Sequence, residues 1–331
     1  MESAKQYSRL LGAMQSMTKI WLSICIPTCN RAEWLHRTLQ SIVQEDCFIL
    51  SEDIEIIISD NASSDNTQKI VEKFIIKYGS KIKYYKQSQF VCAMENFYKV
   101  CTLAQGKFIK LNNDTAHFRP GQLANLLDYI KQHDKDKSLL FFYNRCNTTP
   151  YDYCHNINEF VQKVSFYSTW SVAFGIWKTD SMYLSHFLTY KESQIAQTKI
   201  LLDLLSHVHR PMLIINQPLY DISTPTKKGG YNIAEVFGYN YLNILKEFLN
   251  NGLLSSSIYN YEKKRLLLDH INPFYFDINN LWNFHRTGYF KWLWKDYKYC
   301  PYFYLDYLSM LYKRMKKIFK FKNNPTKIEL L

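Results

Sequence analysis

Short apolar runs alternate with longer amphipathic stretches over the first 145 residues, and this alternation restricts the possible folds more than any other feature. Five runs are typical of buried strands, namely 22–26, 54–58, 82–85, 107–111 and 139–143. The intervening segments place apolar residues at helical spacing, as with Leu35, Leu39 and Ile42. Strands that alternate with helices predict a mainly parallel sheet covered by helices on both faces.

The length of 331 residues indicates a core domain with a C-terminal addition, and a hydrophobic content of 47% is ample for a packed core. From the change in pattern along the chain we predict an N-terminal tail over 1–19 and an α/β domain over 20–232. That domain divides into halves at 20–145 and 146–232. Successive helices are predicted from 233 to 331.

The eight cysteines form no C-x-x-C pair and show no zinc-site spacing, so we expect free thiols in a reducing cytosol. The first 20 residues lack the apolar region of a signal peptide. No stretch approaches the roughly 20 apolar residues of a spanning helix. We therefore expect a protein that is neither secreted nor integral to a membrane.

Polar clusters follow three of the predicted strands, at 28–31, at Asp60-Asn61 and at 112–114. In parallel sheets, ligands bind at the carboxyl ends of the strands. Because all three clusters come at strand ends, they predict one ligand site along one edge of the sheet.

Each cluster has a structural interpretation beside the functional one. Asp60 either caps the turn that follows it or accepts a hydrogen bond from a uracil-type base or a ribose hydroxyl, and a cap supplied by Asp65 or Ser64 favours the second. Asp114 either holds a divalent cation or forms an Asx-turn. The run from Lys227 and Lys228 into two glycines is either a phosphate-approaching loop or a solvated turn.

Three segments together resemble the signatures of family 2 glycosyltransferases. The run LSICIPTCNR at 22–31 resembles their opening strand and loop, and ISDNASSDNT at 58–67 resembles their second signature. The run GKFIKLNND at 106–114 resembles the segment that carries their metal-binding aspartates. The segments occur in the family's order and spacing and cover about 20–145.

This resemblance implies a GT-A fold with a mainly parallel central sheet, followed here by a helical C-terminal extension. It also implies an inverting transfer from a nucleoside-diphosphate sugar, with a UDP-sugar expected, assisted by Mg or Mn. Asp60 would hold the base of the nucleotide and Asp114 the metal. The other donor-binding residues are expected to be Pro27, Thr28, Arg31, Asn96, Asn113 and Lys228.

The chain departs from the family pattern at three places, one of which is Pro120, which lies farther from Asp114 than in the common pattern and suggests a slightly longer loop. Cys29 replaces an aromatic residue that stacks on the base, a role that Trp34 could take. Asn112 and Asn113 replace acidic residues, which puts metal dependence in question. The family's catalytic base follows a strand-and-helix segment that 171–178 resembles, so Glu192 is the first candidate and Asp203 the second, with a first-turn charge and a solvated helix position as the structural alternatives.

The C-terminal end carries over half of the net charge of +12, with ten Lys or Arg against three acids from residue 291 onward. Between 308 and 319, apolar residues at helical spacing oppose cations at 313, 314, 316, 317 and 320. An aromatic run from Trp292 to Tyr304 precedes them. The pattern predicts an interfacial helix on an anionic membrane surface, and the alternative is a helix that packs its apolar stripe on the catalytic domain.

We therefore expect a cytoplasmic enzyme, peripheral on the inner face of the cell membrane, that glycosylates a glycan acceptor carried on a polyprenyl diphosphate. Capsule or O-antigen synthesis is the setting that the resemblance suggests. The main alternative is a catalytically degenerate nucleotide-sugar-binding or scaffold protein with the same fold. A nucleotidyltransferase would require a Gly-rich loop after the first strand, and no nucleic-acid partner is expected because no binding motif is present.

Overall fold

A computed structural model describes residues 20–223, 230–280 and 283–323. The predicted N-terminal tail, 1–19, lies outside the described residues. Contacts within the described chain divide it into two compact units, of which the first comprises 20–156, 167–191 and 196–223. The second comprises 157–166, 192–195, 230–280 and 283–323. This division places 157–166 with the helical part of the chain, whereas the domain prediction assigned it to the α/β domain.

The strands of the described chain are β1 Leu22–Thr28, β2 Ile54–Asp60, β3 Ile82–Lys86, β4 Phe108–Leu111, β5 Ala116–Phe118, β6 Leu139–Phe142, β7 Tyr151–Cys154, β8 Gly175–Trp177, β9 Met212–Ile215 and β10 Tyr220–Ile222. The central sheet has the order β3-β2-β1-β4-β8. Its first four strands are parallel and β8 is antiparallel to β4. The predicted α/β class with a mainly parallel central sheet is confirmed.

The α-helices of the described chain are α1 Ala32–Val43, α2 Asp46–Ile49, α3 Thr67–Tyr78, α4 Ala93–Thr102, α5 Gln122–Gln132, α6 Ile157–Val164, α7 His186–Thr189, α8 Ala196–His207, α9 Ile233–Glu235, α10 Leu242–Asn250, α11 Ser256–Leu266, α12 Asn272–Phe276, α13 Tyr289–Tyr297 and α14 Pro301–Asn323. The four helices predicted before residue 135 are present as α1, α3, α4 and α5. The predicted succession of helices from residue 233 is also present.

The predicted fifth strand exists, but it does not extend the central sheet. It is β6, which pairs in parallel with β9 in a separate sheet of order β6-β9-β7. In the central sheet, β8 occupies the position beside β4 instead. Gly175 permits this pairing, because a Cβ there would lie 2.5 Å from the Phe108 ring. An apolar run alone does not specify its partner strand, so this choice was not visible in the sequence.

The core of the first unit forms where α1 and α5 cover the central sheet. Leu35 and Leu39 of α1 and Leu126 of α5 are fully buried, as are Ile24 and Ile56 of the sheet. Burying one such side chain contributes about 1.5–3 kcal/mol relative to its exposed state. The helical periodicity of the sequence thus identified the buried faces that hold the strands in place.

The second unit is helical, and its interior contains a buried carboxyl group. Glu262 of α11 accepts hydrogen bonds from the Ser165 and Tyr241 hydroxyls, and burial raises its pKa. These bonds connect three segments that are far apart in sequence. No helix among the described residues combines the length and the apolar character needed to cross a bilayer.

Lys110 is a fully buried cation in β4, directly behind the polar edge of the sheet. Its ammonium donates hydrogen bonds to the carbonyl of Leu111, at 2.8 Å, and to that of Val172. The Phe142 and Tyr220 rings lie 5.2 and 5.3 Å from its Nζ. Burial lowers the pKa of Lys110 to about 7, because a charged ammonium is poorly solvated there.

We predict that the free energy of unfolding rises with pH above 7 because of Lys110. Its folded pKa lies below the value of the unfolded chain, so the unfolded state holds more protons between pH 7 and about 10. Urea denaturation at pH 7 and pH 9 should show a gain of about 1–3 kcal/mol in the wild type that Lys110→Met lacks. Equal gains in both proteins would contradict this account.

Candidate active site

The three predicted polar clusters lie together at one edge of the central sheet. Parallel pairing of β1 with β2 sets Thr28 opposite Asp60. On the other side of β1, the Asn112 amide donates to the Cys25 carbonyl at 2.8 Å, which keeps the end of β4 beside β1. The convergence predicted from the strand ends is therefore confirmed.

Asp114 is the point at which the first and third clusters meet. Its Oδ2 accepts a hydrogen bond of 2.9 Å from the Thr28 hydroxyl, and its Oδ1 forms an ion pair of 3.0 Å with Arg31 Nη1. The Thr38 hydroxyl of α1 donates to the Asp114 carbonyl at 2.8 Å. The carboxylate is only 2% exposed, whereas the Arg31 side chain is 38% exposed. A buried anion thus orients a cation that is accessible from solution.

Asp60 is completely buried at the end of β2, and both of its carboxylate oxygens have partners. Oδ1 accepts from the Ser63 amide at 2.9 Å and Oδ2 from the Tyr84 hydroxyl at 2.5 Å. Burial raises the pKa of Tyr84, and Asp60 raises it further, so the phenol remains a hydrogen-bond donor. Asp60 therefore caps the turn that follows it, as its structural interpretation predicted. Each carboxylate oxygen has two lone pairs, so these bonds leave Asp60 able to accept from a ligand.

Asp65 holds the first turns of two helices. Its Oδ1 accepts from the amide and the hydroxyl of Thr67 at the start of α3, at 3.0 and 2.5 Å. Its Oδ2 accepts from the Ala32 amide at the start of α1, at 3.0 Å. Burial raises the pKa of Asp65, but these hydrogen bonds outweigh that effect and lower it overall. Asp65 thus bonds the first amide of α3, although the residue at the N-cap position is Asn66 and not Asp65 or Ser64 as predicted.

The two loops beside β1 and β2 are joined by further side-chain bonds. Asn30 Oδ1 accepts from the Ser64 amide at 2.8 Å, and the Asn30 amide donates to the Ser63 hydroxyl. The Cys29 thiol donates to the Asn61 carbonyl at 3.4 Å, and burial raises its pKa. Cys29 therefore replaces an aromatic residue with a contact between the loops.

The remaining residues predicted to bind the donor occupy different environments. Pro27 is buried in β1 opposite Ser59. Asn96 is buried in α4, where its Oδ1 accepts from Ser59 at 2.7 Å and from Gln87 at 2.8 Å. The donor contact predicted for Asn96 stays a prediction. Trp34 is half-buried on α1 with the Arg37 guanidinium 5.3 Å from its ring, and Lys228 lies outside the described residues.

The cluster at 112–114 contains one carboxylate, that of Asp114, as a possible ligand of a cation. No group of three or more His, Cys, Asp or Glu side chains gathers around a potential metal position in the described part of the chain. Asn112 Oδ1 is buried without a hydrogen-bond partner, and Asn113 Oδ1 accepts from the Ser171 hydroxyl at 2.5 Å. The donor set fits a hard cation held by Asp114, waters and substrate phosphates, as Mg²⁺ commonly is.

The two candidates for the catalytic base differ in accessibility. Asp203 of α8 is 3% exposed, with Lys199 2.6 Å from its Oδ1 and His186 3.0 Å from its Oδ2. The alternative that Asp203 is a solvated helix position is therefore wrong. Glu192 lies in a 3₁₀ turn, Lys191–Ser193, and is exposed.

Three residues of the site were missed in the sequence, namely Thr38, Tyr84 and Ser171. Tyr84 lies in β3 and Thr38 on the inner face of α1, where an isolated polar residue gives no signal of its partner. The resemblance at 171–178 indicated an acceptor segment, but it did not reveal that Ser171 contacts Asn113. Each contact joins residues 24–76 positions apart and depends on the packing of elements.

Comparison with known proteins shows what the N-terminal part of the chain is similar to. Residues 23–183 match the family described as glycosyl transferase family 2. The abequosyltransferase RfbV of Salmonella typhimurium is 36% identical over 109 residues, which are 33% of this chain and 32% of that protein. The GalNAc(5)-diNAcBac-PP-undecaprenol beta-1,3-glucosyltransferase of Campylobacter jejuni is 31% identical over 32% of this chain and 33% of its own length.

These matches span about a third of the length of the curated relatives. Among solved structures, S. aureus TarS 1-349 in complex with UDP-GlcNAc superposes with a TM-score of 0.54 and 15% identity. The superposition covers 80% of this chain and 78% of that chain. At this identity the likeness concerns the fold, and it confirms the predicted GT-A architecture.

We predict that Asp65→Ala lowers the free energy of unfolding by about 1–2 kcal/mol, because two helix starts lose their acceptor. Asp65→Asn keeps an acceptor oxygen and should lose less than half as much. Urea denaturation followed by circular dichroism measures both changes, with exposed Asp128→Ala on α5 as the control. An Asp65→Ala protein as stable as the control would contradict the bridging role.

Proposed function

We propose that this chain, whose residues 23–183 form a family 2 glycosyltransferase domain, transfers a sugar from a nucleoside-diphosphate sugar to a glycan acceptor in bacterial polysaccharide synthesis. The observation that carries the proposal is the arrangement around β1. Thr28 and Arg31 contact the Asp114 carboxylate, while the register of β1 and β2 sets Asp60 beside Thr28. Two carboxylates and a cation therefore share one edge of the sheet.

Each of these groups suits a different part of the donor. The Asp60 carboxylate can accept the imide N–H of a uracil-type base, and its bonds to Ser63 and Tyr84 fix its orientation. Arg31 is partly exposed and always charged, and its planar guanidinium matches phosphate oxygens. A UDP-sugar is the donor that we infer, which agrees with the UDP-GlcNAc bound to the TarS structure.

A divalent cation, Mg or Mn, would be held by Asp114 with Asn113 nearby and would neutralise charge on the departing diphosphate. Arg31 competes for the same carboxylate, because it already pairs with Asp114 Oδ1. A cation that replaced this ion pair would free the guanidinium for the phosphates. The protein therefore has two positive groups for one diphosphate, although it has only one carboxylate in the 112–114 cluster.

We propose an inverting displacement. The acceptor hydroxyl attacks the anomeric carbon, the bond from that carbon to the diphosphate oxygen breaks, and a carboxylate takes the hydroxyl proton. Glu192 is favoured over Asp203 as this base, because Asp203 is buried between Lys199 and His186. Lys228 remains a proposed phosphate contact.

The acceptor that we propose is linked to a polyprenyl diphosphate, in the synthesis of capsule or O-antigen. The name of the Campylobacter jejuni relative gives a glycan linked to PP-undecaprenol as its acceptor. We further propose that the chain works on the cytoplasmic face of an anionic membrane. Four apolar residues on the predicted interfacial helix, α14, are exposed, namely Leu308 at 61%, Leu311 at 36%, Tyr312 at 66% and Met315 at 51%.

These exposed side chains support the membrane proposal, because they can enter the apolar part of an interface. The prediction for Ile318, Phe319 and Lys320 concerns side chains outside the described ones. The aromatic run from Trp292 to Tyr304 extends into α14, and its side chains differ in exposure. Tyr297 and Phe303 are completely buried in the second unit, whereas Trp294 and Tyr299 are 49% and 86% exposed.

The first test is a donor screen that measures release of free nucleotide from UDP-, GDP-, CMP- and dTDP-sugars. We expect release from one donor, and a loss of about 10²-fold or more in Asp60→Ala and Asp114→Ala. Asp128→Ala serves as the matched control, since it removes an exposed carboxylate from α5. If no donor reacts and calorimetry detects no nucleotide binding, the proposal is wrong and the scaffold alternative replaces it.

A second prediction concerns the cation. Treatment with EDTA should reduce nucleotide release by the wild type at least tenfold, and Mn²⁺ or Mg²⁺ should restore it, because one carboxylate can hold an exchangeable ion. Asp114→Asn should require at least tenfold more Mn²⁺ for half-maximal release. Full activity in EDTA would indicate that Arg31 alone neutralises the diphosphate.

A further inference from the structure

A cavity in the second unit lies between α12 and α14, far along the sequence from the residues at the sheet edge. Its volume is about 290 Å³, near the lower limit of small-molecule pockets. Its apolar wall includes Phe274, Ile278 and Met310. The remaining lining residues that the structure describes include the cations Lys313, Arg314 and Lys317, with Asp277 as the acidic one.

These cations, Lys313, Arg314 and Lys317, have no ion-pair partner within the described part of the chain. Lys313 and Lys317 are exposed and Arg314 is half-buried. A cluster of cations of this kind on a partly apolar wall favours an anion that carries a hydrocarbon part.

Arg286 adds an independent observation. Its Nε and Nη2 are buried and have no hydrogen-bond partner within the described chain. Burial lowers the pKa of Arg286, Arg314 lowers it further, and Asp277 opposes this change. The Tyr275 hydroxyl of α12 donates to the Arg286 carbonyl at 2.5 Å, so Arg286 is held against one of the two helices that line the cavity. Buried cationic donors without acceptors are costly, and a bound anion would remove that cost.

The helix that supplies the cations also presents unpartnered apolar side chains. Leu305 and Leu308 are 69% and 61% exposed, and Tyr312 and Met315 follow on the same face at helical spacing. A soluble anion would satisfy the cations of the cavity but would leave this stripe in water. A lipid in a bilayer accounts for both, since the stripe can enter the interface beside the bound lipid.

We infer that the cavity between α12 and α14 binds an anionic phospholipid of the membrane, with the phosphate on Arg286 and Arg314 and the hydrocarbon on Phe274, Ile278 and Met310. Lys313 and Lys317 stand at the rim, where their chains reach the neighbouring headgroups. The inference rests on the membrane part of the proposed function and is independent of sugar transfer.

The test compares Arg286 and Arg314 with a lysine of α14 that does not line the cavity. Vesicles of phosphatidylglycerol and phosphatidylcholine are sedimented with the full chain, its Arg314→Gln and Arg286→Gln variants, and Lys316→Gln as the matched control. Lys316 is exposed on α14 and does not line the cavity. A basic residue merely near an anionic surface contributes about fivefold in affinity. We expect losses of more than tenfold for each arginine variant and about fivefold or less for Lys316→Gln.

The possible outcomes distinguish the cavity inference from the membrane proposal. Equal losses in all three variants would overturn the cavity inference and leave the membrane proposal standing, because charge alone would then explain binding. A wild type that does not bind phosphatidylglycerol vesicles would overturn both. The Arg286 side chain has no partner at Nε or Nη2, so Arg286→Gln should keep the wild-type circular dichroism spectrum and melting temperature.

A second measurement distinguishes a lipid from free phosphate. Calorimetry with dihexanoyl phosphatidylglycerol below its micelle concentration should detect binding that Arg286→Gln weakens more than tenfold. Inorganic phosphate should bind at least tenfold more weakly than the short-chain lipid. Ile278→Ser should weaken the lipid severalfold and leave phosphate unchanged. Phosphate that bound as tightly as the lipid would overturn the lipid assignment.

Discussion

The parallel pairing of β1 with β2 and β4 is the constraint on which the rest of the first unit depends. Register sets Thr28 opposite Asp60, and the pairing of Leu22 with Phe108 starts β4 at the level that delivers Asp114 to the same edge. A shift of one residue would turn every side chain of a strand to the other face of the sheet. The site is therefore a consequence of strand register, and the apolar cover of α1 and α5 maintains that register.

The polar edge is held by side chains that already have partners. Asp65 joins two helix starts, Asp60 is oriented by Ser63 and Tyr84, and Asp114 is paired with Arg31. Charged groups fixed in this way need little reorganisation when a charged substrate binds, which is the condition for electrostatic catalysis. In the second unit, by contrast, the Arg286 donors Nε and Nη2 are buried without a hydrogen-bond partner among the described residues, and three cations line the cavity between α12 and α14. The first arrangement suits a substrate whose charge the paired groups complement, and the second suits an anionic ligand.

Much of the fold and part of the site could be predicted from local pattern. The strands at 22–26 and 54–58, the role of Asp65 at the start of a helix and the convergence of three polar clusters follow from periodicity and turn chemistry, which act over a few residues. The partner of Asp60 could not be predicted, because Tyr84 comes from another strand. The burial of Asp203 could not be predicted either, because its ion pair with His186 depends on how α7 and α8 pack.

The sequence by itself determined the order of strands and helices, the family signatures and the concentration of positive charge at the C-terminal end. Each of these is a property of residues that are neighbours in the sequence, so it can be predicted from the sequence alone. Only the tertiary structure decided that β8 and not β6 borders β4, that Arg31 pairs with Asp114, and that Tyr275 holds Arg286 against α12. Those facts depend on contacts between distant residues, whose free energies are settled by the packing of the whole unit and not by any local segment.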